Sequence, residues 1–168
     1  EKTLIMFYKP KGLVCTKKDA AEHKTIYEML PNIFQHLVPI AQLDRETEGL
    51  LLMTDDHDLA QRLDKTPGEK TFQITARGPL DEGDLKTLKK GMHLRDSKAI
   101  FSAVTLLRYD KDDDRSHLEV KTSMKKALPI YDAFVVLKHP VKKLIRVSFG
   151  TYELGRLKAG EWKTIKSS

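Results

Sequence analysis

The residues with the clearest chemical potential lie in one short stretch. Ala41-Gln42-Leu43-Asp44-Arg45-Glu46-Thr47-Glu48-Gly49 runs into Leu50-Leu51-Leu52-Met53-Thr54, followed by Asp55-Asp56. The apolar run reads as a buried strand, and the polar run before it as a loop carrying one aspartate. A buried strand is a rigid support, and a loop at its edge can present a carboxylate to a cleft. Thr47 is placed to orient that loop through its hydroxyl, and Gly49 lets the backbone turn tightly. Taken alone, an aspartate in such a loop also serves as an ordinary turn cap. Other chemistries find less support. His23, His36, His57, His93, His117 and His139 are scattered, without the spacing of a metal site. Cys15 is the single cysteine, so neither a disulfide framework nor a zinc cluster can be assembled. It reads as a small strand residue rather than a nucleophile.

The elements that must position this loop can be read along the chain. Residues 3–8 form an apolar run stopped by Lys9-Pro10-Lys11-Gly12, a strand entering a turn, and residues 13–16 resume the strand. Residues 25–30 have helical spacing and stop before Pro31. Residues 37–40 read as a brief strand, and 58–63 as the first turns of a helix with acidic residues at its start. Residues 71–76 alternate as a strand. Residues 81–90 form an amphipathic helix with Leu85 and Leu88 on one face and Gly91 as its stop. Residues 100–109 and 117–122 pair across a charged turn at 111–115. Residues 130–137 read as a helix preceded by Pro129, and 144–149 as the final strand, with Gly150, Gly155 and Gly160 punctuating the tail. Interspersed strands and helices with short turns predict an α+β fold, a mostly antiparallel mixed sheet with flanking helices.

The 168 residues are enough for one ordinary domain, expected over 1–168. Apolar residues make up 40% and charged residues 32%, so a hydrophobic core is expected and disorder is not. The net charge of +6 favours polyanionic partners, nucleic acid first. No apolar run approaches the length that crosses a bilayer, so no membrane partner is expected. The chain opens at Glu1 without a signal-peptide pattern, and is expected to be a fragment or processed product of a longer precursor.

The stretch 41–56 resembles the signature of the RsuA-like pseudouridine synthases, G-R-L-D-x-x-T-x-G-L-L-L-L-T-N-D. Leu43, Asp44, Thr47, Gly49, Leu50, Leu51, Leu52, Thr54 and Asp56 are in register with it. The resemblance covers almost the whole chain. Tyr8-Lys9-Pro10-Lys11-Gly12 is similar to the family's N-K-P-x-G, and Glu69-Lys70-Thr71-Phe72 stands where the family has E-K-x-Y. Leu85, Leu88 and Gly91 resemble its L-x-x-L-x-x-G helix ending. Leu144, Arg146, Gly150, Leu157, Gly160 and Glu161 resemble its V-x-x-L-x-R-x-x-I-G … L-x-x-G-E close. The family's small N-terminal S4-type RNA-binding module is not among these residues.

The resemblance implies a pseudouridine-synthase-like fold and an isomerase that converts a uridine within folded RNA to its C-glycoside isomer. It implies no metal and no organic cofactor. Asp44 falls on the catalytic aspartate, a nucleophile or a base at the sugar. The base must leave the stack before a carboxylate can reach it. Substrate contacts are expected from Phe72, Arg45, Thr47, Lys9, Lys11, Lys70 and Tyr131. Lys9 and Lys11 are expected at phosphates. The partner is RNA, ribosomal ahead of transfer RNA, with ribosomal assembly particles as further partners. The compartment is the cytoplasm, or an organelle matrix if an upstream targeting segment has been removed.

The sequence also departs from the family pattern. Gln42 replaces an arginine and Ala41 a glycine, with Arg45 the neighbouring cation. Phe72 replaces a tyrosine, which keeps a flat face for stacking and loses the hydroxyl; a plain core aromatic is an equal reading. The family's E-G-R-x-H-Q-V-R-R-M aligns with residues 124–133, which puts Tyr131, followed by Asp132, where an arginine pairs with the catalytic aspartate. Lys125 and Lys126 supply a cation only if the local register slips, and otherwise form a solvated basic surface. Three readings follow: an active synthase with a rebuilt site, an RNA-binding relative that has lost the chemistry and serves in ribosome assembly, or a generic basic α+β binding module in which the Asp44 stretch matches by chance.

Overall fold

A computed structural model of the chain describes residues 1–18 and 21–166. Strand β1 (Leu4–Lys9) leads through two short 3-10 helices (Ile26–Met29 and Asn32–Phe34) to β2 (Val38–Ile40) and β3 (Glu48–Thr54). Helix α1 (His57–Lys65), β4 (Lys70–Arg77) and α2 (Glu82–Lys90) follow, then a small hairpin of β5 (Met92–His93) and β6 (Lys98–Ala99). The hairpin pair β7 (Ala103–Asp110) and β8 (Arg115–Thr122) precedes α3 (Leu128–Val136) and β9 (Val141–Phe149). The chain closes through β10 (Tyr152–Glu153) and β11 (Trp162–Thr164). Among the described residues, nine strands form one sheet in the order β11-β1-β3-β9-β4-β8-β7, with β2 against β3 and β10 against β9. Within this sheet every strand pairing is antiparallel except β3 with β9.

The sheet has two wings that meet at β9. In the first wing both faces are covered, which accounts for the unbroken apolar run of β3, where all seven residues are buried. Ile5, Phe7, Leu51 and Met53 pack beneath the 3-10 helices against Tyr27 and Phe34. Leu4, Met6, Leu50 and Leu52 pack on the other face against Leu59 and Ala60 of α1. In the second wing β4 alternates: Phe72, Ile74 and Ala76 face a core shared with Leu88 of α2 and Phe134 of α3, and Gln73 and Arg77 are exposed. The period of two in its sequence is the signature of a strand covered on one face.

Local signals account for most boundaries. Asp56 caps α1, its Oδ1 accepting from the Leu59 N–H at 3.1 Å. Asp81 and Asp84 form a reciprocal capping box on α2, which ends at Gly91. Pro129 lies in the first turn of α3, where its missing N–H costs nothing. Three expectations are corrected. Residues 13–16 make only an isolated bridge from Val14 to Thr25, because that segment lies over the first wing rather than within the sheet. Residues 100–102 lie outside β7, with Thr122 Oγ1 donating to the Ile100 carbonyl instead of a ladder continuing. Strand β9 is not the last: the glycine-punctuated tail returns to add β11 beside β1.

Where the wings join, β3 and β9 approach closely. Gly49 pairs with Arg146 and has φ +112°, and a Cβ there would sit 2.3 Å from the Arg146 carbonyl oxygen. Eight residues earlier, Ala41 occupies the left-handed region at φ 49° as the chain leaves β2. Gly49→Ala is expected to destabilise the fold by about 3 kcal/mol or more, because backbone has to move. Ala41→Gly is expected to stabilise it by about 0.5–1 kcal/mol. Relief of roughly 1–2 kcal/mol of left-handed strain outweighs the entropy of a glycine in the unfolded chain. Denaturant midpoints at constant slope measure both.

Candidate active site

The loop from Ala41 to Thr47 is held by side chains from three other segments. Arg146 Nη2 on β9 donates to the Ala41 carbonyl at 2.9 Å. The Cys15 thiol donates to the Leu43 carbonyl at 3.2 Å. Lys9 Nζ at the end of β1 donates to the Arg45 carbonyl at 3.1 Å, and the Gly12 N–H reaches the same oxygen at 2.8 Å. Alternate carbonyls of an irregular segment are thus captured by buried donors, which removes the need for a regular ladder there. Arg146 also sends Nε and Nη2 to the Leu50 carbonyl at 3.0 and 2.8 Å, so one guanidinium ties the loop to the strand that follows it.

Burial sets the proton affinities of these clamps. It pushes the Arg146 guanidinium down to about 10 and lowers the Lys9 ammonium, with Cys15, Asp44 and two glutamates opposing the shift at Lys9. Burial raises the Cys15 thiol, so it remains a donor rather than a thiolate nucleophile.

Asp44 stands at the exposed turn of this loop. Its Oδ1 accepts from the Thr47 N–H at 3.0 Å and from Thr47 Oγ1 at 2.6 Å. Thr47 is fully buried, and Tyr131 on α3 lies 2.9 Å from its hydroxyl oxygen. Thr47 has one hydroxyl proton and gives it to the carboxylate, so Tyr131 donates to Thr47. Burial pushes the Tyr131 phenol up to about 12, which keeps it a donor at any ordinary pH. The result is a directed relay, Tyr131 to Thr47 to Asp44. Among the described residues, Oδ2 of Asp44 takes no hydrogen bond from the protein, and no cation lies within 4 Å of either oxygen. Tyr131 stands where the resemblance led one to expect an arginine, and it reaches the carboxylate through Thr47.

Asp44 lines a cavity of about 270 Å³ together with Phe72, Gln42, Lys125, Lys126 and Arg146. Phe72 combines both of its readings: it is buried in the core of the second wing and also faces this cavity. Lys125 and Lys126 are exposed at the cavity, so the segment between β8 and α3 brings cations here without any slip in register.

The remaining candidates divide. Lys11 and Arg45 are exposed and share Glu46, at 3.6 and 3.2 Å, weak surface pairs that leave both near the site. Lys9 is fully buried and donates to the Pro10 and Arg45 carbonyls, so in this structure it braces the loop. Lys70 is also buried, with Nζ donating to the Met124 carbonyl at 2.7 Å.

Sequence reasoning gave Cys15 no role and Arg146 only a place in register. A charged residue inside an otherwise half-apolar strand was the available signal for Arg146. Nothing about a lone cysteine signals a carbonyl clamp.

Comparison with known proteins agrees with this geometry. Residues 3–131 match the family model described as RNA pseudouridylate synthase. The ribosomal large subunit pseudouridine synthase B of Bacillus subtilis (strain 168) is 28% identical over 167 residues, covering 98% of this chain and 68% of that protein. An uncharacterized RNA pseudouridine synthase of Aquifex aeolicus (strain VF5) is 30% identical over 146 residues, 84% of this chain. The chain spans only 57% of the length of that Aquifex relative. A crystal structure of pseudouridylate synthase superposes with a TM-score of 0.77 at 26% identity, covering 99% of this chain and 71% of that one. An H/ACA ribonucleoprotein bound to a substrate RNA containing 2′-deoxyuridine shares the fold alone, with a TM-score of 0.63 at 16% identity over 90% of this chain and 48% of that one. With the Asp44 loop, its Lys9 and Cys15 clamps and its Tyr131 relay all inside the matched span, the chain belongs to the RNA pseudouridylate synthase family.

Proposed function

We propose that this chain isomerises a uridine in structured RNA to pseudouridine, with Asp44 as the catalytic residue. The observation that carries the reading is Asp44 Oδ2, without a hydrogen-bond partner among the described residues, at a cavity that Phe72 and two lysines also line. At about 270 Å³ the cavity is small even for a ligand site, which suits a single extruded nucleotide and not a duplex. In the net reaction the C1′–N1 bond breaks, a C1′–C5 bond forms, C5 loses a proton and N1 gains one. Asp44 starts it either as a nucleophile or as a base at the sugar. Phe72 offers a face for the base, and Lys125 and Lys126 offer charge to the flanking strand. Ribosomal RNA is the favoured substrate, ahead of transfer RNA, with assembly particles as partners; the large-subunit name of the Bacillus relative supports this choice.

One observation favours a second reading. The carboxylate has no cation within 4 Å among the described residues, and a neutral Tyr131–Thr47 relay stands in its place. In that reading the chain binds RNA without modifying it. Incubation with total RNA from cells lacking the protein, followed by pseudouridine mapping, separates the two. A new site supports the isomerase. None, where the Bacillus relative works in parallel, leaves the binding role.

For the isomerase, Asp44→Asn is expected to abolish product while leaving RNA binding and melting temperature intact. Thr47→Val removes a donor to a charged group, and turnover is expected to fall about 10- to 100-fold. Tyr131→Phe removes one neutral hydrogen bond, and turnover is expected to fall only about five- to tenfold. Single-turnover rates on one RNA hairpin rank the three.

A further inference from the structure

Of the buried cations around this site, two line its cavities, Lys70 and Arg146, and among the described residues neither has a counter-charge beside it. Lys70 is 1% exposed and Arg146 2%. Neither lies within 4 Å of a carboxylate among the described residues. The ammonium of Lys70 makes one hydrogen bond, to the Met124 carbonyl, and sits 6.0 Å from the centre of the Phe149 ring. The Arg146 guanidinium lies 5.1 Å from the same ring centre. Taking a charge out of water without an opposite partner is costly, and for Lys70 one carbonyl and a neighbouring ring offset only part of it.

Lys70 opens onto a second hollow of about 230 Å³, which shares Gln42, Lys125 and Lys126 with the Asp44 cavity. The single acidic residue lining it, Asp64, accepts from the Ala41 N–H at 2.8 Å and does not reach Lys70. The hollow therefore has three lysines and little negative charge to balance them. Burial, with Arg146 and Lys125 nearby, pushes the Lys70 ammonium down to about 8.

We propose that this second hollow is a phosphate subsite, in which Lys70, Lys125 and Lys126 hold a phosphodiester of the RNA strand next to the nucleotide in the Asp44 cavity. The assignment rests on the RNA reading above. Lys70 supplies a rigid, pre-placed donor at the floor, and the two exposed lysines close over the anion as point charges. Gln42, which faces both hollows, lies between the base-binding and phosphate-binding parts.

The test uses the chain as it is, Lys70→Met, and the surface double variant Lys125→Gln/Lys126→Gln. Melting is followed in sodium phosphate against sodium chloride at equal ionic strength, and binding of an RNA stem-loop is followed by anisotropy. Phosphate is expected to raise the melting temperature of the parent chain, an effect lost in Lys70→Met and reduced in the double variant. RNA affinity is expected to fall roughly tenfold in Lys70→Met, the size of one lost charge-assisted contact. An equal phosphate shift in all three proteins overturns the proposal and means an adventitious ion only. Loss of the phosphate shift with unchanged RNA affinity overturns the assignment to RNA. Both readouts are independent of turnover, so expected results here support the subsite even where pseudouridine mapping is blank.

Discussion

The site depends on a segment of irregular backbone being held still. Between β2 and β3 the chain has no ladder partner, and its carbonyls at Ala41, Leu43 and Arg45 are taken by Arg146, Cys15 and Lys9. Each donor comes from a different part of the chain and each is buried, so none exchanges readily with water. Rigidity of this kind is what a reacting carboxylate requires, since a displacement of an ångström is enough to spoil attack geometry. Arg146 carries the largest share, because its fork also grips Leu50 and so couples loop and strand.

The departures from the family pattern take on physical meaning in this frame. Ala41 lies in left-handed backbone, where a glycine is at ease, and its carbonyl is still delivered to Arg146. Where the resemblance implied an arginine, Tyr131 presents a hydroxyl that cannot ionise in use, and Thr47 passes its hydrogen bond to Asp44. The cavity keeps its cations, but at the rim and in the walls rather than against the carboxylate.

Much of the fold was legible because the relevant signals are local. The continuous apolar run of β3, the alternation of β4 and the aspartate that opens α2 each announce an element without knowledge of its neighbours. Asp44 and Thr47 were legible as a unit for the same reason, being three residues apart. The bracing part of Lys9 was not legible, because sequence shows a charge beside a turn but not the enclosure that turns it inward. Cys15 was overlooked because its partner, the Leu43 carbonyl, belongs to main chain and leaves no trace in residue type. Strand β11 was hidden because its three exposed residues carry no burial pattern, and only pairing with β1 defines it.

The lone parallel seam between β3 and β9 also governs when the site comes into being. The hydrogen bonds that join Arg146 to Leu50 span 96 residues, whereas β7 and β8 meet across a tight turn. Closing so long a stretch of chain is entropically slow compared with zipping a hairpin. The two halves of the sheet can therefore acquire their own cores while the loop between β2 and β3 is still untethered. The tethering of the loop is then expected late in folding, when the ninth strand seats on β3 and its guanidinium takes hold of Ala41 and Leu50.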